Sequence, residues 1–201
     1  MIAGLVLAAG SSRRFGSDKL IAPLGERAVI AWSAAAIARG VDAVYIVAPP
    51  DHEALRSAIR TTLPDLEVRW VANAQRESGL ASSLHAGVNA LPNDAECVVV
   101  TLGDQPLLDP AAVDRVVTRW RAGDVDGATV QYDDGRGHPT LFGARLFPRL
   151  LYLTGDQGAR ELLESLGASL ATVAMPGPRP ADVDTPEALS EVAASLLRPR
   201  S

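Results

Sequence analysis

Short apolar runs alternate with longer Ala-rich stretches along most of the chain. "IAGLVLA" (Ile2–Ala8), "AVYIVA" (Ala43–Ala48), "LEVRWV" (Leu66–Val71) and "CVVVTL" (Cys97–Leu102) are brief and rich in β-branched residues. Near-continuous apolar runs of that length suit strands covered on both faces. Between them lie Ala28–Arg39, Glu53–Thr61 and Leu80–Leu91, which carry helical patterns. From Pro110 onward the pattern predicts a helix through Trp120, strands at Gly127–Tyr132 and Pro139–Phe142, and a helix over Asp156–Leu166. A strand at Leu170–Ala174 and a final helix after Pro186 complete it. This rhythm is that of βαβ units: an α/β fold of three layers, with a mostly parallel sheet between helices. Sheets of this kind bind ligands at the carboxyl ends of their strands. Chemistry is therefore expected in the loops after Ala8, Val71, Leu102 and Ala174.

Length and charge narrow the picture further. A chain of 201 residues suits one domain, given that domains run to about 100–200 residues, and residues 1–201 are read as one. The most Pro-rich segment, "MPGPRPADVDTPEAL", lies between a strand and the last helix and reads as an ordered loop. A net charge of -5 argues against a nonspecific nucleic-acid partner. The single Cys97 sits in an apolar run and permits no disulfide within the chain. The opening residues resemble a signal-peptide core, but their cations, Arg13, Arg14 and Lys19, follow the apolar run instead of preceding it. No apolar stretch is long enough for a membrane span. A cytoplasmic protein without a membrane partner is expected.

The loop after the first strand, "LAAGSSRRFGSDK", fits neither the dinucleotide fingerprint nor the P-loop, because Gly10 and Gly16 are six apart and Lys19 trails by three. It is a turn of small residues whose N–H groups can approach an anion, with Arg13, Arg14 and Lys19 in reach of several phosphates. The alternative is a solvated basic turn. At "VVVTLGDQPLL" a buried strand ends at Gly103 and Asp104, placing a carboxylate where a hard cation such as Mg²⁺ could share it with substrate phosphates; a simple turn before Pro106 is the competing view. In "DVDTPEAL", Asp182 and Asp184 alternate along an extended piece and face opposite ways, so one of them can join Asp104. Thr185 is the better cap for the last helix, with Pro186 at its first position, which leaves Asp184 for a metal. In "NAQRESGLASSLHAG", Gly79, Ser82 and Ser83 lie at a helix start, suited either to a nucleotide or to capping. In "DDGRGHPTLF", Gly135 and Gly137 leave room near His138, which is either structural or in contact with substrate. No Ser-His-Asp order, Cys nucleophile or Cys/His cluster is evident. Nucleotidyl transfer to a phosphate needs none of these, because a phosphate with a second pKa of about 6 is already a dianion at neutral pH.

Taken together, "LAAGSSRRFGSDK" resembles the signature of the nucleotidyltransferases that include the molybdenum cofactor guanylyl- and cytidylyltransferases. "GLASSLHAG", "GDQPLL", "GRGHPTLFG", "LTGDQGARELL" and "DVDTPEAL" follow in the order of that group's motifs, covering Leu5 to about Leu189. The resemblance implies a Rossmann-like fold that moves NMP from an NTP to a phosphorylated acceptor and releases pyrophosphate. It implies that Leu7, Ala8, Ala9, Gly10 and Ser12 wrap the nucleotide, with Gly79, Ser82 and Ser83 nearby. Arg13 and Lys19 would neutralise its phosphates, Asp104 and Asp184 would hold Mg²⁺, and Arg13, Lys19 and Asp104 would be the catalytic set. Gln105, His138, Asp156 and Arg160 would meet the acceptor, and Gly158 would help to close it. Ala9, where guanylyl enzymes tend to have glycine, together with "GDQP" and "GDQGAR", favours CTP as donor. A pterin-type phosphate is the implied acceptor, and a molybdoenzyme or its accessory protein the implied recipient. His85, where relatives often have arginine, and Ala81, where they often have serine, depart from the pattern. GTP as donor, a sugar or alcohol phosphate as acceptor, and an accessory protein that binds without turnover remain alternatives.

Overall fold

The computed structural model describes residues 1–10, 15–16, 18–155 and 158–197. Seven strands form its central sheet: β1 (Ile2–Leu7), β4 (Ala43–Ala48), β5 (Val68–Ala72), β6 (Cys97–Leu102), β7 (Gly127–Tyr132), β8 (Gly135–Gly143) and β9 (Leu170–Ala174). A separate two-stranded piece pairs β2 (Pro23–Leu24) with β3 (Arg27–Ala28). The large sheet has the order β5-β4-β1-β6-β8-β7-β9. Among its described strands only β8 runs against its neighbours; the other pairings are parallel. The expected mostly parallel three-layer fold is thus the one found.

Alternation along the strands divides the core in two. Ile2 and Val6 of β1, Val44 and Ile46 of β4, and Cys97 and Val99 of β6 face one layer, packed on α1 (Val29–Ala38), α2 (Glu53–Thr62), α4 (Pro110–Arg121) and α7 (Pro186–Leu196). Leu5, Leu7, Tyr45, Val47, Val98 and Val100 face the other, against α3 (Leu80–Asn89), α5 (Phe147–Leu150) and α6 (Gly158–Ser165). Each central strand is therefore apolar on both faces, as its sequence required. Cys97 is buried and unpaired as a thiol, and burial pushes it up to about 12, so it behaves as a small hydrophobe. Among the described residues no helix is long and apolar enough to cross a membrane.

Two strands differ from their sequence reading. Pairing with β4 begins at Val68, opposite Val44, so Leu66 and Glu67 stay outside the ladder. Conversely, β8 starts at Gly135 rather than Pro139, because antiparallel pairing with β7 recruits the glycine-containing segment. That pairing slips: Thr129 faces Thr140 while Val130 faces Gly137, leaving His138 and Pro139 in a bulge. Bulges break the pleat and re-aim side chains, and proline is tolerated where no ladder donor is needed.

The layer holding α3 sits close to the sheet because Gly87 allows it. A Cβ there would lie 2.5 Å from Leu5 Cδ2, a fully buried side chain. Overpacking typically costs about 1–3 kcal/mol, and alanine's better helix propensity returns at most about 1. Gly87→Ala is therefore expected to lower stability by about 1–2 kcal/mol, seen as a lower urea midpoint; an unchanged midpoint would show that α3 shifts without cost.

Candidate active site

The carboxyl ends of β1 and β6 and the approach to α7 meet at one point. Lys19 stands at the start of a 3₁₀ turn, Lys19–Ile21, whose cap Asp18 accepts the Leu20 N–H at 3.1 Å. The lysine is 8% exposed. Its Nζ donates to Asp104 Oδ2 at 2.5 Å and to Asp184 Oδ1 at 2.6 Å. Two carboxylates far apart in sequence thus converge on one ammonium. Burial opposes the charge of Lys19, but the bonds to Asp104 and Asp184 more than offset it and raise its pKa. Burial also holds the Asp104 carboxyl above its ordinary value, despite the pull of Lys19.

Backbone contacts bring the loops together. Gly103 N–H donates to Leu7 O at 2.9 Å, tying β6 to β1, and buried Ser33 of α1 donates to Gly103 O at 3.2 Å. Val183 N–H donates to Asp104 O at 2.9 Å. Beside that bond, Gln105 Nε2 donates to Asp182 Oδ1 at 2.8 Å. The two aspartates of the extended segment therefore do face apart, Asp184 toward Lys19 and Asp182 toward Gln105. Thr185 caps α7, accepting the Ala188 N–H at 3.2 Å, with Pro186 in the first turn. Gln105 is buried and spends its amide nitrogen on Asp182, while its Oε1 is buried without a partner. It lies in the zipper between the two loops rather than on the wall of the adjoining cleft.

This arrangement fits a small divalent cation. Mg²⁺ keeps several waters and takes one or two carboxylates plus substrate phosphates. Asp104 and Asp184 already converge on one cation, the ammonium of Lys19. Among the described residues no group of three or more His, Cys, Asp or Glu could hold a metal by itself, so substrate oxygens would have to complete the coordination.

The residues expected around a nucleotide are distributed unevenly. Ala8 and Ala9 are buried, Gly10 is exposed, and a Cβ on Gly10 would meet nothing within 4 Å. Ala8 N–H is taken by Val47 O at 2.8 Å. Leu7 points into the α3 layer and lines the cleft described below. Ser12, Arg13 and Asp156 lie outside the described residues. Gly79, at φ 90° and ψ -178°, begins α3 in a conformation essentially reserved for glycine. Ser82 and Ser83 are buried, and both hydroxyls accept from Asn73 Nδ2, at 2.9 and 3.0 Å. Ser82 also donates to Gly79 O at 2.8 Å. The Ala81 N–H is taken by Gly155 O at 3.0 Å. In this geometry the serines brace the loop through Asn73, a residue that sequence reasoning passed over although it directly follows β5. His85, the departure on α3, keeps a buried Nε2 without a partner.

Beside the carboxylates opens a cleft of about 550 Å³, lined by His138, Arg160, Leu7, Leu84, Phe142 and Arg179 among others. The bulge places His138 within electrostatic reach of Asp104, while burial pushes the imidazole down to about 4. It is therefore neutral at neutral pH and can offer hydrogen bonds but no charge. Its carbonyl accepts the Tyr132 hydroxyl at 2.7 Å. Arg160 is exposed at the rim, with Glu164 at 3.8 Å.

Known proteins share this arrangement of strands and loops. The chain is 32% identical to the purine catabolism protein PucB of Bacillus subtilis over 92% of both chains. It is 29% identical to a probable molybdenum cofactor guanylyltransferase of Mycobacterium avium, covering 84% of this chain and 82% of the other. The crystal structure of Rv0371c from Mycobacterium tuberculosis superposes with a TM-score of 0.82 at 29% identity, covering 96% of this chain and 97% of that one. A manganese complex of Rv0371c gives 0.79 at 27% identity, over the same shares. The model of the MobA-like NTP transferase domain matches residues 4–171, a span that contains Lys19, Asp104 and nearly all of the cleft, and the chain belongs to that family of nucleotidyltransferases.

Proposed function

We propose that the protein, acting as one domain in the cytoplasm, transfers CMP from CTP to the phosphate of molybdopterin or its molybdenum-bearing form, releasing pyrophosphate. The observation that carries this reading is the convergence of Lys19, Asp104 and Asp184 beside a cleft with arginines at its rim. In this reading Arg13 and Lys19 bind the donor phosphates, and Leu7 to Gly10, Ser12 and the Gly79–Ser83 turn surround the nucleotide. His138, Asp156 and Arg160 face the acceptor, and Gln105 supports that side through Asp182. Asp104 and Asp184 would hold Mg²⁺, which when bound would neutralise charge on the phosphates; the manganese complex of Rv0371c supports a divalent requirement.

The acceptor phosphate supplies its own nucleophilic oxygen, so the protein's part is to align it with the donor phosphorus and exclude water. Neutral His138 is suited to this alignment, because its ring N–H can hydrogen-bond an approaching phosphate dianion. The cytidine preference rests on Ala9 and on the "GDQP" and "GDQGAR" motifs. The guanylyltransferase named among the relatives supports GTP as the second reading. Side-by-side turnover of CTP, GTP, ATP and UTP with molybdopterin and Mg²⁺, followed by pyrophosphate release, decides between them. CTP is expected to be used fastest; pyrophosphate at background with all four would sink the transferase reading itself.

A further inference from the structure

Arg179 lies in the loop between β9 and α7, and nothing in the sequence marks it. In the fold it reaches back over the start of β8. Asp134, in the β7–β8 turn, accepts its backbone N–H at 2.8 Å through Oδ1 and its Nε at 3.2 Å through Oδ2. The neighbouring Asp133 ties the same two loops together: its N–H donates to Gly177 O, and its Oδ2 accepts the Gly177 N–H, both at 3.0 Å. The arginine stem rests on Gly137, where a Cβ would lie 3.0 Å from its Cγ. The guanidinium carbon sits over Gly135, 4.0 Å from where a Cβ would be.

Holding an arginine by its Nε fixes the plane of the guanidinium and leaves the two terminal nitrogens as a fork. A fork of that kind suits two oxygens of one anion. As a surface ion pair alone, Arg179 and Asp134 would contribute little, because solvent screens exposed charges. Yet Gly137 makes room for this side chain, and it lines the same cleft as His138. Arg136 lines that wall too. Leu84, Phe142 and Leu163 also line the cleft, together with Thr129, Thr140 and Glu164.

Gly135, under the guanidinium, and His138, in the bulge, are three residues apart along β8. His138 is the end within electrostatic reach of Asp104, so Arg179 marks the far end. We propose that Arg179 is a specificity-determining residue that grips a second anionic group on the acceptor, away from the phosphate that reacts. The proposal rests on the transferase reading for the identity of the near end. It narrows the acceptor class to a phosphate ester whose body carries a second anionic group.

Calorimetric titration of the full chain without nucleotide tests it, using 2-naphthyl phosphate and 6-carboxy-2-naphthyl phosphate as probes. Wild type is expected to bind the two-anion probe at least about 10-fold tighter, the size of one charge-assisted hydrogen-bonded contact. Arg179→Gln should lose that preference while binding 2-naphthyl phosphate as wild type does, which also reports that it is folded. Arg179→Lys keeps the charge without the fork and should retain only part of the preference. Equal affinities in wild type, or a full preference in either variant, would overturn the proposal. Because no nucleotide is present, this outcome is independent of the pyrophosphate assay, and the two readings fail separately.

Discussion

Lys19→Met is expected to transfer nucleotide at least about 100-fold more slowly than wild type, the usual scale for losing one preorganised charge contact. The same substitution should make stability depend on divalent cations. In wild type the ammonium neutralises Asp104 and Asp184 from within 2.6 Å. Methionine fills similar space without charge and leaves two carboxylates facing each other. Breaking a buried ion pair costs about 3–5 kcal/mol; the low end applies here, because the Asp184 side chain is 35% exposed and partly screened by water. A Mn²⁺ titration followed by thermal melting should raise the Tm of Lys19→Met well above the shift seen in wild type, since the cation replaces the missing charge. Equal shifts in the two proteins would show that Lys19 and the metal do not share the carboxylates, and near-normal turnover would show that the lysine lies outside the reaction.

Asp104→Asn is expected to have an effect of similar size on rate, about 100-fold or more, by a different route. The side chain keeps its shape, and the backbone bond from Val183 to Asp104 O is untouched, so the fold should survive with little loss of Tm. What disappears is the more buried of the two charges on Lys19. Its pKa is already raised by burial, so removing the charge relieves a desolvation penalty and partly offsets the lost pairing. The variant should need a higher Mg²⁺ concentration for its residual turnover, because in the proposed site only Asp184 would remain to hold the ion with the substrate phosphates. Rate against Mg²⁺ concentration measures this. A wild-type rate at wild-type Mg²⁺ would remove Asp104 from the site.

Much of this architecture is legible in the chain alone. The runs around Leu5, Ile46 and Val99 are apolar at every position, which only a strand covered on both sides can use, and all three are central strands. Thr185, Pro186 and Glu187 spell out the start of α7 through local capping chemistry. The segment before Pro139 is harder to read, because two glycines and a histidine look like a loop until β7 lies alongside to pair with them. Ser82 and Ser83 look like ligands of a nucleotide or caps of a helix; their hydroxyls accept from Asn73, a choice that depends on how close β5 comes to α3.

By itself the sequence determined the strand and helix order, the parallel class of the sheet and the presence of a basic segment after the first strand and of two acidic loops, because these follow from periodicity, composition and local backbone preference. It could not decide that Lys19 is the meeting point of Asp104 and Asp184, which lie 85 and 165 residues further on. Nor could it show that Asp182 is turned away to Gln105. Those contacts depend on strand order and on the bond from Val183 to Asp104. Arg179 is the clearest case: an unremarkable arginine in a Pro-rich loop becomes part of the cleft only when the β7–β8 turn folds beneath it, and a contact across that distance leaves no local pattern in the chain.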